Sequence, residues 1–347
     1  MTPKPRNKEN NGLPARWRHK HGAYYYRVPI ELKELWDGKN EFRLGKTLNE
    51  AYKVWAQRLE LHSDAKTMAE LFDRYAYEVV PDKAIKTQES NNYSLRKLRP
   101  VFGHMRIESV KPIHVYKYRD LRGKDGKTIA NRDLEVLSHA FTKAIEWGLC
   151  ENHPIKGKVN KFSRPPRRRY IEDWEIKEAL SVASPFLKSY IHLKLMTGLR
   201  RGDLLLIKHS DIKDDGIYVQ PRKTKSSTGK KIIIEMTPEL YEVLAEIKNN
   251  SNKILSVWLF HTNKGQPYIK DNGSANAFDS MWQRFMKKVL EKTKVVERFT
   301  EHDIRAKVAS DTNIEHAQKL LGHSSSEVTN RVYRRKAERI KPFFKKN

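Results

Sequence analysis

The stretch "IKGKVNKFSRPPRRRY", Ile155 to Tyr170, limits how this chain can fold more than any other. It holds seven basic residues, Lys156, Lys158, Lys161, Arg164, Arg167, Arg168 and Arg169, with two adjacent prolines and no acid. So many like charges cannot enter a core unpaired. Pro165 and Pro166 lack a backbone N–H and disfavour a helix around them. Residues 155–170 therefore read as an extended basic linker, with separately folded units on either side. All seven cations are candidate contacts along a phosphate backbone. The plainer alternative is a solvated tether between domains.

The chain has 347 residues, enough for two or three domains that each bury a core. Lys and Arg number 69 against 42 Asp and Glu, a net charge of +27. A polyanionic partner is the leading expectation. There is no apolar run long enough to span a bilayer, and the start "MTPKPRNKENNG" lacks a signal-peptide core, so a cytoplasmic protein without a membrane partner is expected. Cys150 is the single cysteine, which excludes an internal disulfide framework and cysteine-cluster zinc sites. No two of the 13 histidines stand three or four apart, which disfavours a paired-His metal site on a helix. "TGKK" has Thr224 where a P-loop needs its first glycine. No metal, nucleotide or other cofactor is expected.

Residues 1 to about 12 are polar and expected to be disordered. Strand-like "AYYYRV" and "EFRLG" then suggest a small basic sheet. Thr47 and Glu50 form a capping-box pattern before a helix with Ala51, Val54, Trp55 and Leu59 on one side. Thr67 and Glu70 repeat that spacing ahead of Met68, Leu71, Phe72 and Tyr75, and Pro81 stops the pattern. Further helices are expected over Tyr93–Val101, from Pro112, and over Thr128–Trp147. The last has a stripe of Leu134, Leu137, Phe141 and Ile145, with Gly148 as its stop. Beyond the linker, helical patterns precede Thr197 and follow Gly198. "GIYVQPRKTKSSTGKKIIIEMTPEL" reads as a hairpin leading into a helix at Pro238, "VWLFH" as a strand, and the rest as mainly helical. The expected class is mainly α with small β elements (α+β). Its parts are a tail and small α/β module at 1–63, an all-α domain at 64–154, the linker at 155–170 and a mixed α/β domain at 171–347.

Four short stretches of the C-terminal part belong together. They are "TGLR" ending in Arg200, the hairpin "RKTKSSTGKK", "FTEHDIR" with His302 and Arg305 on one helix face, and "LLGHSSSEVTNRVYRR" with His323 ten residues before Tyr333. Singly, each has an ordinary explanation. Arg200 can pair with Asp203 on an exposed helix face for a few tenths of a kcal/mol, a lone histidine is more often structural, and Tyr333 is one of 15 tyrosines. In this order and spacing, however, the set resembles the tyrosine recombinase (phage integrase) family. The resemblance is most specific from residue 171 onward. It extends to "KTIANRDLEVLSHAFTKAIEWGLCENHP", which looks like that family's core-binding domain, and more weakly to residues 13–63, which look like its arm-type DNA-binding modules. The chain departs from the common pattern in having Asp203 where glutamate is usual, a longer hairpin turn, and one extra residue between His323 and Tyr333.

The resemblance implies a site-specific DNA recombinase, an integrase that inserts or excises a phage or other mobile element through a 3′-phosphotyrosine intermediate. By position, Tyr333 is the nucleophile, Arg200, Arg305, His302 and His323 surround the phosphate, and Lys223, with Lys225 as second choice, protonates the leaving group. Two permanent guanidiniums suit charge developing on nonbridging oxygens. A free phenol titrates at about 10, so its attack needs nearby positive charge or a base. One ester replaces another, so no ATP is needed. The implied partners are double-stranded DNA attachment sites, further copies of the chain in a homotetramer, and host DNA-bending and excision accessory proteins, all at the bacterial nucleoid. The competing readings are a noncatalytic DNA-binding regulator on the same scaffold and a type IB topoisomerase-like relaxing enzyme.

Overall fold

The computed structural model describes residues 8–59, 65–225, 229–250, 254–322, 327, 330 and 333–336. His323, the first seven residues, the side chain of Leu59 and the tail beyond Lys336 lie outside the described residues. The structure is mainly helical with two small three-stranded sheets. It divides into two compact units, Met1–Arg164 and Pro165–Asn347, with the boundary inside the basic stretch.

In the first unit, β1 (Trp17–Lys20), β2 (Ala23–Arg27) and β3 (Glu41–Gly45) form an antiparallel sheet in that order. The register Trp17↔Tyr26↔Phe42 puts these three rings on one face. Helix α1 (Leu48–Leu59) contributes Ala51, Tyr52 and Trp55 to the same core. The Trp17 ring lies 4.9 Å from that of Tyr52 and 5.5 Å from that of Trp55. The expected capping box is present, since Glu50 N–H donates to Thr47 Oγ1 and Thr47 N–H to Glu50 Oε2, both at 3.2 Å. Arg18, Tyr25 and Arg43 align across the other face. Residues 8–12, expected to be disordered, are ordered. The chain turns over Lys8–Asn10, and Asn10 Oδ1 accepts the His19 N–H at 2.7 Å.

Helices α2 (Met68–Glu78), α3 (Ile85–Phe102), α4 (Pro112–Gly123) and α5 (Lys127–Glu146) complete this unit. Thr67 and Glu70 cap α2 reciprocally, and Met68, Leu71, Phe72 and Tyr75 are fully buried. Helix α3 starts at Ile85, well before Tyr93, because polar side chains fasten its first turns. Gln88 donates to the Pro81 and Lys83 carbonyls, and the residues turned inward there are Asn91 and Ser94. Apolar periodicity cannot register such a helix start. On α5, Leu134, Leu137 and Phe141 are buried as expected, but Ile145 is 37% exposed and Ala144 takes its place. At about 100° per residue Ala144 and Ile145 flank the stripe at nearly equal angles, so the period alone does not choose between them. One apolar cluster runs from Leu13 to Ile155, so sheet and helices share a core.

The second unit begins with α6 (Asp173–Ser181), α7 (Pro185–Thr197) and the single turn α8 (Arg201–Leu204). A second antiparallel sheet follows, of β4 (Ile212–Lys213), β5 (Gly216–Val219) and β6 (Ile232–Glu235), in which β5 and β6 are the expected hairpin. Helices α9 (Pro238–Asn250), α10 (Asn276–Lys292), α11 (Glu301–Asp311) and α12 (Ile314–Leu321) follow. "VWLFH" is not a strand. Trp258 makes one isolated antiparallel bridge with Lys208, held by His209 N–H to Val257 O at 3.0 Å and Leu259 N–H to Ile207 O at 2.9 Å. The 3-10 turn His209–Asp211 ends the pairing there. Tyr190 and Leu193 of α7, Phe278 of α10 and Phe299 before α11 are fully buried in the core of this unit.

Candidate active site

Helix α7 stops because Gly198 adopts a left-handed conformation, φ 58°. A side chain there would also start 2.9 Å from Leu321 Cδ2 and 3.2 Å from Val308 Cγ1. The turn therefore presses against α11 and α12, and Arg200 emerges from it in extended backbone as the N-cap of α8. Beneath it, the fully buried Lys194 Nζ donates to Leu199 O at 2.9 Å and pairs with Glu301 Oε2 at 2.5 Å. One cation thus fixes the residues immediately before Arg200 and before His302.

Arg305, 1% exposed, projects from α11 into this corner. Its Nη1 donates to Gly198 O at 2.6 Å and its Nη2 to Leu321 O at 2.8 Å, which sets the plane of the guanidinium. The guanidinium carbon lies 5.3 Å from the centre of the Tyr333 ring. The His302 ring centre is 5.4 Å from that of Tyr333, with the planes at 60°. Tyr333 is 7% exposed and packs among Ala306, Ala309, Ala317 and Leu321. Burial pushes the Arg305 pKa down to about 10, and the adjacent Arg200 charge acts in the same direction, against the opposing influence of the Tyr333 hydroxyl and Asp203. At neutral pH the group remains a cation. A guanidinium, a phenol and an imidazole thus meet at one point, with the Arg200 charge close enough to act on Arg305.

The ion pair with Asp203 that would give Arg200 an ordinary explanation is absent among the described residues. Arg200 precedes α8, so the two side chains do not share a helix face, and Asp203 is buried. Its Oδ1 accepts the backbone N–H of Arg222 at 2.9 Å and so tethers the turn that follows β5. Among the described residues, the Arg200 guanidinium has no hydrogen-bond or ion-pair partner. Lys223 sits exposed in the 3-10 turn Arg222–Thr224, and Lys225 caps that turn. Lys225 lines a cavity of about 570 Å³ together with Asp203, Lys208, Arg222 and Trp258. Neither ammonium belongs to the contact set around Tyr333. Gly322, which ends α12, leaves the chain against the hairpin, since a side chain at 322 would start 2.8 Å from Ile232 Cδ1.

The His302 pKa is lowered, first by loss of water around the ring and then by repulsion from Lys194, Arg305 and Arg335, while Glu301 opposes. Protonation is disfavoured, so the imidazole is neutral at pH 7. An NMR titration of this ring should give a midpoint below 6.5, the ordinary value. A midpoint above it would contradict the cationic surroundings described here.

The seven linker cations are not equivalent. Lys161 pairs with Glu135 at 3.0 Å, Arg167 with Asp303 at 3.0 Å, and Arg169 with Glu175 at 2.5 Å and Glu297 at 3.2 Å. The Arg169 side chain is only 11% exposed, so it braces the second unit from inside. Lys156, Lys158, Arg164 and Arg168 are exposed without such pairs. The sequence reading missed Lys194, Glu301, Asp303 and Arg335. The one available signal was that Glu301 and Asp303 flank His302.

A buried phenol between a guanidinium and an imidazole, with a second guanidinium acting on the first, suits a class of protein built for chemistry on a phosphodiester. Residues 170–339 match the model of the Phage integrase family. The tyrosine recombinase XerC-like protein of Caldanaerobacter subterraneus subsp. tengcongensis is 26% identical over 375 aligned positions, covering 90% of this chain and 93% of that protein. The integrase of Enterobacteria phage P21 is 29% identical over 254 positions, covering 68% and 65%. In fold, the chain is similar to a lambda integrase dimer bound to a COC' core site, with a TM-score of 0.64 at 22% identity over 97% of this chain and 99% of that one. The chain belongs to the phage integrase family and is a site-specific tyrosine recombinase of DNA integration and excision.

Proposed function

We propose that Tyr333 is the nucleophile and that Arg200 and Arg305 hold the scissile phosphate against it. The observation that carries this reading is a buried Arg305 against the phenol, with the like charge of Arg200, without a partner among the described residues, acting on it. Such an arrangement favours an anion between the guanidiniums. The phenol releases its proton to solvent and its oxygen attacks phosphorus, the deoxyribose 5′-oxygen leaves as a hydroxyl, and the strand end is held as a 3′-phosphotyrosyl ester. Attack by a partner strand's 5′-hydroxyl reverses the step and exchanges the strands. His302, neutral, donates a ring N–H to a nonbridging oxygen of the phosphate, and His323 does so from the following segment. Lys223, or Lys225, supplies the proton to the leaving oxygen. The tether from Asp203 to Arg222 favours this assignment, because it fastens the lysine turn to the helix that Arg200 caps.

The DNA is held in more than one place on this reading. Lys156, Lys158, Arg164 and Arg168 follow the backbone along the linker, residues 64–154 act as the core-binding domain, and residues 13–63 act as an arm-type module. The cross-strand row of Arg18, Tyr25 and Arg43, with Lys20 Nζ 4.8 Å from the Tyr25 ring, supports the last. A lambda integrase is known as a dimer on a core site and as a tetramer on a Holliday junction. We assign this chain the same kind of assembly on paired attachment sites, with accessory DNA-bending proteins.

Incubation with a nicked duplex copied from the DNA flanking this gene tests the reading. A protein–DNA band that survives denaturant is expected, together with affinity that falls steeply with salt. DNA binding by folded protein without a covalent band would instead indicate a noncatalytic regulator. Relaxation of arbitrary supercoiled DNA by a monomer would indicate a topoisomerase.

A further inference from the structure

Asp303 stands between His302 and Arg305 in sequence, yet its side chain turns away from both and is 1% exposed. Its Oδ2 accepts the Thr300 N–H and hydroxyl, both at 2.8 Å, and lies 3.0 Å from an Arg167 Nη2. Its Oδ1 lies 2.5 Å from Arg335 Nη1. Arg335 follows Tyr333 by two residues, and the same nitrogen also donates to Arg169 O at 3.0 Å. Ser310, one turn beyond Ala306 on α11, accepts the Arg335 N–H at 2.8 Å. Its hydroxyl lies 3.0 Å from the Tyr333 carbonyl and 2.8 Å from that of Ala306, sharing one proton between them. Lys336 then pairs with Asp311 at 2.9 Å. The chain leaving Tyr333 is fastened at successive points to the helix that carries His302 and Arg305.

We propose that Asp303, Arg335 and Ser310 form a latch that positions the Tyr333 phenol against Arg305 and His302. This rests on Tyr333 being the nucleophile. None of the three touches the reacting atoms, so they are positioning residues. The physical reason is that a buried carboxylate holds its cation firmly, and a backbone pinned on both sides of residue 334 leaves the phenol little freedom. Attack on phosphorus is sensitive to displacements of about 1 Å. Arg167 and Thr300 remain on Asp303 when Arg335 is removed, so Arg335→Ala does not strand the carboxylate.

The test uses the full chain and the nicked duplex described above, with single-turnover cleavage at saturating protein, the DNA Kd and the thermal midpoint measured for each variant. Arg335→Ala is expected to cut the cleavage rate by about 10- to 100-fold with the Kd within about twofold. Arg335→Lys, which keeps the charge, should recover part of the rate, and Ser310→Ala should show a smaller loss. Cleavage by Arg335→Ala at the wild-type rate overturns the latch, as does a Kd that weakens in step with the rate. If Arg335→Ala fails to fold, Ser310→Ala decides, because it removes only a hydroxyl, and a wild-type rate there overturns the proposal. Tyr333→Phe separates the two ideas. An adduct formed by that variant sinks the nucleophile assignment, whereas an inert Tyr333→Phe beside a fully active Arg335→Ala removes the latch alone.

Discussion

Tyr333→Phe should lose covalent strand capture by more than about 10³-fold while keeping its fold and its DNA affinity. The substitution removes one oxygen and leaves the ring. That ring is 7% exposed and packed on Ala306, Ala309, Ala317 and Leu321, so the core is unchanged. The loss to the folded state is the hydrogen bond between the hydroxyl and Arg305, worth about 1 kcal/mol. Activity and stability therefore separate widely at this position. Denaturing gels of the nicked-duplex reaction and a urea melt of the same sample measure both. Residual adduct at the wild-type level would mean that another group attacks.

The two arginines should separate from each other in a second way. Arg200→Ala and Arg305→Ala each remove one fixed donor to the phosphate, so each should lower the single-turnover cleavage rate by about 10² to 10³. Their stabilities should differ. Arg200 has no partner among the described residues, and its loss should leave the melting curve in place. Arg305 bonds to the carbonyls of Gly198 and Leu321 from a buried position, so alanine there leaves both carbonyls wanting, at about 1–3 kcal/mol each. Arg305→Lys should not recover the wild type, since an ammonium cannot reproduce a planar fork that spans two carbonyls. Equal destabilisation by the two alanine variants, or full cleavage by Arg200→Ala, would contradict the geometry.

What the amino-acid order announced and what it concealed divide along a physical line. Capping boxes at Thr47 and Thr67 are local, and both appear as read. Gly198 was legible as a break, and His302 and Arg305 as neighbours on one helix. The arrangement of Arg200, Arg305 and Tyr333 came from the order of motifs rather than from any one residue. Charges were harder to read, because a cation's partner lies far away in sequence. Arg169 looked like one more free linker charge, but Glu175 and Glu297 hold it, and Arg167 shares Asp303 with Arg335. Lys194 sits in an apolar helix pattern, and nothing nearby in sequence shows that Glu301 neutralises it. Asp203 offered an ordinary explanation for Arg200 as a surface pair, and its actual acceptor role for the Arg222 N–H depends on how the hairpin folds back.

The central claim is that one phenol takes a DNA strand end. Protease digestion of the denatured adduct, followed by mass spectrometry of the nucleotide-bearing peptide, tests it most directly. The account predicts the added mass on the peptide containing Tyr333, attached to the 3′ end of the cleaved strand. Attachment to any other residue, or to a 5′ end, would contradict it.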